Sequence, residues 1–315
     1  MFSRLKIFSG NANRKLVLEV AKHAGIPLGD VEVIKFSNDN SFVKINENVR
    51  GADIFIIQPT CIPVNDNIME LLIMIDAMKR ASANKINCVI PYFSYGRSDK
   101  KDQPRVPITA KLIADLLTTA GATRIVAMDL HSEQIQGFFN IPVDHLTSLP
   151  IFSRYFSNNL DLTDAVVVSP DSGGTNRARE LAKRLKCSLA IGDKRRTDNK
   201  DNAEIMNIIG DVKDKTAILF DDIIDTGGSL TKISKALIKK GAKKVYAACS
   251  HGIFSGKAIE NIENSPIEKI FVTNSIPLSA EKRRCKKIVQ LSIAELLAIA
   301  IKKIHIEESI SILFR

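Results

Sequence analysis

The sequence predicts an α/β protein of two similar lobes, each a mostly parallel sheet flanked by helices. Three observations predict it. Short apolar runs recur along the whole chain, helical patterns fall between many of them, and twice a run passes through a glycine turn into a helical pattern. Such alternation marks parallel strands joined by helical crossovers. In order, residues 54–57 are uninterrupted Ile and Phe, the mark of a buried strand, and residues 67–81 carry helical spacing. Residues 88–90 are a second strand, 108–120 a helix and 124–130 a third strand. Pro142 and Pro150 then flank a crossover into the second lobe. There, strands are expected at 165–168, 189–191, 217–220, 245–249, 270–272 and 288–291, with helices at 175–185 and 230–240. The division expected is 1–147 and 148–303, with 304–315 returning to pack on the first lobe. Ligands of open parallel sheets sit beyond the carboxyl ends of the strands, so a cleft between the lobes is the expected site.

Composition narrows the function. A chain of 315 residues with 45% hydrophobic content can fill one large core or two ordinary ones. No apolar run is long enough to span a membrane, and residues 1–6 lack the apolar stretch of a signal peptide. Cys61, Cys88, Cys187, Cys249 and Cys285 are dispersed, without a CxxC pair. That usage points to a reduced, cytoplasmic protein without a cysteine metal cluster. The net charge of +10 raises the question of nucleic acid, yet Trp is absent, aromatics are 6%, and no nucleic-acid-binding pattern occurs. Lys232, Lys235, Lys239, Lys240, Lys243 and Lys244 read as solvated surface. Small polyanionic substrates account for the remaining charge better than nucleic acid does.

The chemistry concentrates after the run at 217–220. Asp221 and Asp222 close that strand, and Asp225, Thr226, Gly227, Gly228 and Ser229 lead into a helix. Glycines admit a phosphate close to backbone N–H groups at a helix N-terminus, and Thr226 and Ser229 add hydroxyls. The paired carboxylates repel phosphate and suit sugar hydroxyls or a magnesium-bound sugar, so the pattern predicts a phosphorylated sugar. A second turn, Asp171, Ser172, Gly173 and Gly174, repeats the plan after 165–168. Residues 193–201 hold Lys194, Arg195, Arg196 and Lys200 and read as a mobile cationic lid for transferring phosphoryl groups, disordered without substrate. In the first lobe, His131 ends a strand at Asp129-Leu130-His131, where it can meet a metal or a phosphate, and Arg97 follows the run 88–90, placed for a phosphate.

Taken together these stretches resemble ribose-phosphate diphosphokinase, the phosphoribosyl-diphosphate (PRPP) synthetase family, over nearly the whole chain. Further matches are Val49-Arg50-Gly51 and the closing stretch from Glu308 to Phe314. The resemblance implies phosphoribosyltransferase-like lobes, the first binding ATP and the second ribose 5-phosphate, and Mg2+-dependent transfer of diphosphate from ATP to give PRPP and AMP. It implies that Lys194 and Arg196 are the catalytic basic pair and that His131 and Asp171 hold the metal on the ATP phosphates. Phe36, Asn38, Asn40, Arg97, Ser98 and His131 would bind ATP, with Ser172, Gly173 and Gly174 forming the diphosphate loop. Asp221, Asp222, Asp225, Thr226, Gly227, Gly228 and Ser229 would bind ribose 5-phosphate. A homo-hexamer of dimers follows, with the Phe36 loop reaching a neighbour's adenine pocket. So does the phosphate-activated class, inhibited by ADP, with Arg50, Lys101, Ser309, Ser311 and Phe314 resembling its anion site. The chain departs from the family at Asn40, usually Glu, and at Ser98, usually Gln; Ser172, Thr175 and Asn176 replace apolar residues. An amide both donates and accepts where a carboxylate only accepts, so adenine recognition is where a change is expected. The alternatives are a PRPP-consuming phosphoribosyltransferase and a non-catalytic regulatory relative.

Overall fold

The computed structural model describes residues 4–196 and 204–314. They form two compact units: 1–147 with 275–277 and 292–315, and 148–274 with 278–291.

The first unit begins with β1 (Leu5–Ser9), α1 (Arg14–Ala24), a hairpin of β2 (Val31–Lys35) and β3 (Ser41–Ile45), and β4 (Asp53–Ile57). It continues through α2 (Val64–Arg80), β5 (Lys85–Ile90), α3 (Thr109–Ala120), β6 (Arg124–Met128) and β7 (Val143–Leu146). Five strands form a parallel sheet in the order β1-β4-β5-β6-β7, while β2 and β3 pair only with each other. Sheets covered on both faces are built from continuous apolar strands, and every residue of β4 is buried. Ile54 and Ile56 meet Leu71 and Ile75 of α2 and Leu117 of α3 in one core.

The second unit comprises α4 (Leu149–Asn159), β8 (Ala165–Ser169), α5 (Thr175–Leu185), β9 (Ser188–Arg196), β10 (Glu204–Ile209), β11 (Thr216–Ile224) and α6 (Gly228–Lys239). It adds β12 (Lys244–Gly252), α7 (Ala258–Glu263), β13 (Ile267–Thr273), α8 (Ala280–Arg284) and β14 (Ile288–Leu291). The sheet order is β10-β9-β8-β11-β12-β13-β14, parallel except at the β10–β9 edge. Strand alternation divides its faces. Val167, Ile218 and Phe220 pack with Leu181 of α5, whereas Val166, Leu219 and Ala217 pack with Ile233 and Leu237 of α6.

Three expectations need correction. The chain returns to the first unit at 292, ahead of residue 304, so α9 (Ala294–His305) belongs there. Its buried Leu297, Ala298 and Ile301 supply an apolar face, and α9 packs on α1, whose Leu16, Val17 and Val20 are also buried. The strand expected to stop at 220 runs through Ile224, with both aspartates inside it. The lid segment starts as strand: residues 193–196 extend β9 and pair antiparallel with β10. A charged strand end that reaches past its β8 pairing and meets only β10 reads like a loop, because its polarity carries no apolar run. The rest of the expected lid through 201, the side chains of Lys194, Arg196 and Phe314, and Arg315 lie outside the described residues.

Candidate active site

In the second sheet the chain moves from β8 to β9 on one side, then returns to β11 on the other. The carboxyl ends of β8 and β11 therefore flank a topological switch point, with α5 and α6 leaving on opposite faces. Such a point opens a crevice that ligands use in this sheet class.

The turn after β8 is held by its own polar groups. Asp171 Oδ1 accepts the Gly174 N–H at 3.0 Å, and Ser169 Oγ donates to the Asp171 carbonyl at 2.7 Å. A Cβ on Gly174 would lie 3.1 Å from Ser169 Oγ and 3.7 Å from Asp221 Oδ1. The turn thus brings Asp171 and Asp221 around one small residue. Gly173 and Ser172 complete the turn, and Ser172 is exposed.

After β11, Gly227 adopts φ +71°, a left-handed conformation that a side chain strains. It launches α6 with Thr226 and Ser229 exposed beside its free N–H groups and Gly228 as its first residue. Ser255 Oγ donates to Asp225 Oδ1, and Asn261 Nδ2 donates to the Thr226 carbonyl at 2.9 Å. Ser255 and Asn261 were not foreseen; both come from a segment with no phosphate-binding pattern of its own.

Arg177 was also missed. It lies in the first turn of α5, 3.0 Å from Asp222 Oδ1 and 3.8 Å from Asp221 Oδ1. A cation at a helix N-terminus opposes the helix dipole, and α5 has no acidic residue in its first turn. That mismatch is the signal in the sequence for a carboxylate partner elsewhere.

Asp222 is buried. The carboxyl of Asp221 is held well above the ordinary range, first by burial and then by the neighbouring charge of Asp222; Arg177 pulls in the opposite direction. The folded protein therefore keeps this proton to higher pH than the unfolded chain, which takes stability away as pH rises. Without magnesium or substrate, Asp221 is expected to lower Tm progressively from the ordinary carboxylate range up through its raised value. Asp221→Asn, always neutral, should flatten that slope in thermal melts taken across pH. An unchanged slope would place its origin in another group.

In the first unit, Arg97 and His131 follow the carboxyl ends of neighbouring strands β5 and β6, and both are exposed. A Cβ on Gly96 would lie 3.4 Å from His131 Cβ, so the two loops touch. Ser98 Oγ bonds Thr109 Oγ1 at 3.3 Å, tying its loop to α3. Asp129 takes φ +40° where β6 ends, two residues before the expected end of that strand. Phe36, Asn38 and Asn40 lie on the β2–β3 turn, closed by the Phe36 N–H to the Asn40 carbonyl at 2.8 Å. Phe36 is about half exposed and stands 5.3 Å from Phe42 between ring centroids. Arg50 and Lys101 are exposed in separate turns; Ser309 Oγ donates to Ser311 Oγ at 2.9 Å near the carboxyl end. His131 belongs to the first unit and Asp171 to the second.

Glycine turns that open helices at the carboxyl ends of parallel strands, beside a strand-borne carboxylate pair, define an anion-binding protein of the open α/β class. The family model described as the N-terminal domain of ribose phosphate pyrophosphokinase matches residues 5–121, and the phosphoribosyl synthetase-associated domain matches 196–315. Ribose-phosphate pyrophosphokinase of Bacillus cereus is 54% identical over 312 residues, covering 99% of this chain and 98% of that one. The Bacillus subtilis enzyme of that name is 54% identical over 310 residues, covering 98% and 97%. The crystal structure of phosphoribosylpyrophosphate synthetase from Mycobacterium smegmatis superposes with a TM-score of 0.92 at 41% identity, covering 97% of this chain and 100% of that one. The chain belongs to the ribose-phosphate pyrophosphokinase family, enzymes that transfer diphosphate to ribose phosphate to make PRPP.

Proposed function

We propose that the diphosphate donor is ATP, the acceptor the anomeric hydroxyl of ribose 5-phosphate, and the second product AMP. The observation that carries the sugar end is the gathering of Asp171, Asp221 and Asp222 at the switch point beside the Gly227 turn. Asp221 and Asp222 accept hydrogen bonds from ribose hydroxyls. The Asp225-to-Ser229 loop and the N-terminus of α6 hold the sugar phosphate. At the nucleotide end, Phe36 stacks on adenine, Asn38 and Asn40 contact its edge, and Arg97, Ser98 and His131 reach the phosphates. The Asp171-to-Gly174 turn holds the transferred diphosphate. The anomeric hydroxyl attacks the β-phosphorus and AMP leaves, while Lys194 and Arg196 neutralise charge on the phosphoryl oxygens.

The donor set fits magnesium. Asp171 and the crowded Asp221 and Asp222 are hard oxygen ligands, and a cation relieves the charge that raises Asp221. Among the described residues no group of three or more His, Cys, Asp or Glu is placed to hold a metal alone. Magnesium bound together with substrates shares one or two protein carboxylates with their phosphates, and Asp171 is the carboxylate we assign to that role. When bound, magnesium offsets phosphate charge.

Incubation of the purified protein with ATP, ribose 5-phosphate and magnesium tests the reading: AMP and PRPP should appear in equal amounts. No AMP release from ATP, with PRPP consumed when it is supplied in place of these substrates, would favour a transferase. Among the described residues, no helix is long and apolar enough to cross a membrane; a cytoplasmic homo-hexamer is our reading of location and assembly. We also assign phosphate activation and ADP inhibition to a site using Arg50, Lys101, Ser309, Ser311 and Phe314. Deleting residues 309–315 should reduce activation by inorganic phosphate while leaving catalysis, since exposed chain ends seldom support a core. Unchanged phosphate activation in the truncated enzyme would remove that segment from regulation.

A further inference from the structure

The β2–β3 hairpin is a separate two-stranded sheet. Main-chain pairing to the large sheet stops just before it, at the Ile7–Leu28 bridge and the Gly29 N–H to the Ile7 carbonyl. No ladder fixes its direction. Val33 and Val43 pack on the core, but apolar contact is non-directional. Directional contacts come from side chains, and several trace to one face of α2.

Glu70 of α2 is a buried carboxylate. Its Oε1 accepts the Gln58 Nε2 at 2.7 Å and the Asn11 N–H at 2.6 Å; its Oε2 accepts the Asn11 Nδ2 at 2.8 Å. These three donors are neutral amides. A buried charge held this way is costly to desolvate, and a neutral side chain would fill the space at less cost. What the carboxylate adds is acceptor capacity at both oxygens, which orients Asn11. The same Asn11 amide nitrogen donates to the Val33 carbonyl of β2 at 3.0 Å. One turn earlier on α2, Asp66 pairs with Lys35 at 3.0 Å, and Lys35 also pairs with Asp39 in the turn at 2.6 Å. Asp66 and Glu70 therefore hold β2 at Val33 and Lys35, next to Phe36.

We propose that Glu70, acting through Asn11, and Asp66, acting through Lys35, are positioning residues that aim the Phe36 turn at the nucleotide. The proposal rests on the reading of that turn as the adenine contact. Glu70→Gln places an amide against the donors of Asn11 and Gln58. Misplacing a binding group by a fraction of an ångström should raise KM for ATP by roughly tenfold. KM for ribose 5-phosphate should stay within about twofold, and preference for ATP over GTP should fall, as for a contact that reads the base. Asp66→Asn breaks an exposed pair, should fold normally, and should show the same selective change at about twofold, in line with exposed ion pairs. Lys35→Arg should retain wild-type values.

Steady-state kinetics on the full chain, with Phe36→Ala measured beside these variants, decide it. If Phe36→Ala raises KM for ATP and Glu70→Gln and Asp66→Asn follow selectively, the proposal stands. If Phe36→Ala raises it while both α2 variants leave it unchanged, or shift both substrates equally, the positioning role is overturned and the adenine reading survives. If Phe36→Ala leaves KM for ATP unchanged, the adenine reading fails and the positioning role with it.

Discussion

Lys194→Ala is expected to lower kcat by at least about a hundredfold, near 3 kcal/mol, with little change in KM for ribose 5-phosphate. The reason is timing. In the proposed site the sugar is bound through carboxylates and a glycine turn at the ends of β8 and β11, whereas a lysine on a transferring phosphoryl group gains most as charge redistributes in the transition state. An interaction made only there changes kcat and kcat/KM together and leaves ground-state affinity alone. Backbone pairing of residue 194 with Met206 on the β9–β10 edge does not depend on the lysine side chain, so the fold should tolerate the change. Steady-state kinetics with both substrates varied provide the measurement. An unchanged kcat would remove Lys194 from the mechanism, and a raised KM for ribose 5-phosphate at constant kcat would make it a binding residue instead.

Arg177→Ala is expected to destabilise the second unit and weaken sugar binding together. Asp222 is buried and Arg177 is its cation at 3.0 Å. Breaking such a pair from one side takes a cation away from a buried carboxylate, which costs about 3 kcal/mol where, as here, the arginine keeps partial contact with solvent. Asp221 then also loses the attraction of Arg177 and rises further. KM for ribose 5-phosphate should climb, and the acidic limb of the pH–rate profile should move to higher pH. A double-mutant cycle isolates the cause: Asp222→Asn added to Arg177→Ala should recover stability, because neither charge remains buried. Simple additivity of the two Tm losses would show that Arg177 acts through packing.

Most of the sheet framework was legible, for a physical reason. Parallel strands covered on both faces, such as β4, β8 and the first half of β11, are continuous apolar runs that few other structures produce. The β2–β3 hairpin was not legible as strands. Its residues are half exposed and interrupted by Glu32, Lys35 and Lys44, so it presents no apolar run. The carboxyl half of β11 and the end of β9 carry aspartates, lysine and arginines within strands, where polarity argues for a loop. At the site, Gly227 announced its turn because a left-handed backbone is written in residue type, and Gly174 because its turn leaves little room for a side chain. Arg177, Ser255 and Asn261 act across large sequence separations, and only the folded arrangement of β11, α5 and α7 supplies their partners.

The late return of the chain to its first unit also sets a schedule for synthesis. A polypeptide leaving the ribosome amino end first makes α1 before the second unit, yet the helix that covers it, residues 294–305, follows that unit. Until then α1 lacks that cover, and its packing with α9 must close a loop that includes the whole second unit. The second unit needs nothing beyond residue 291 and can fold while that loop is still open. The half of the molecule translated first is thus the half completed last, and nascent chains halted before residue 294 should engage chaperones through their amino-terminal portion.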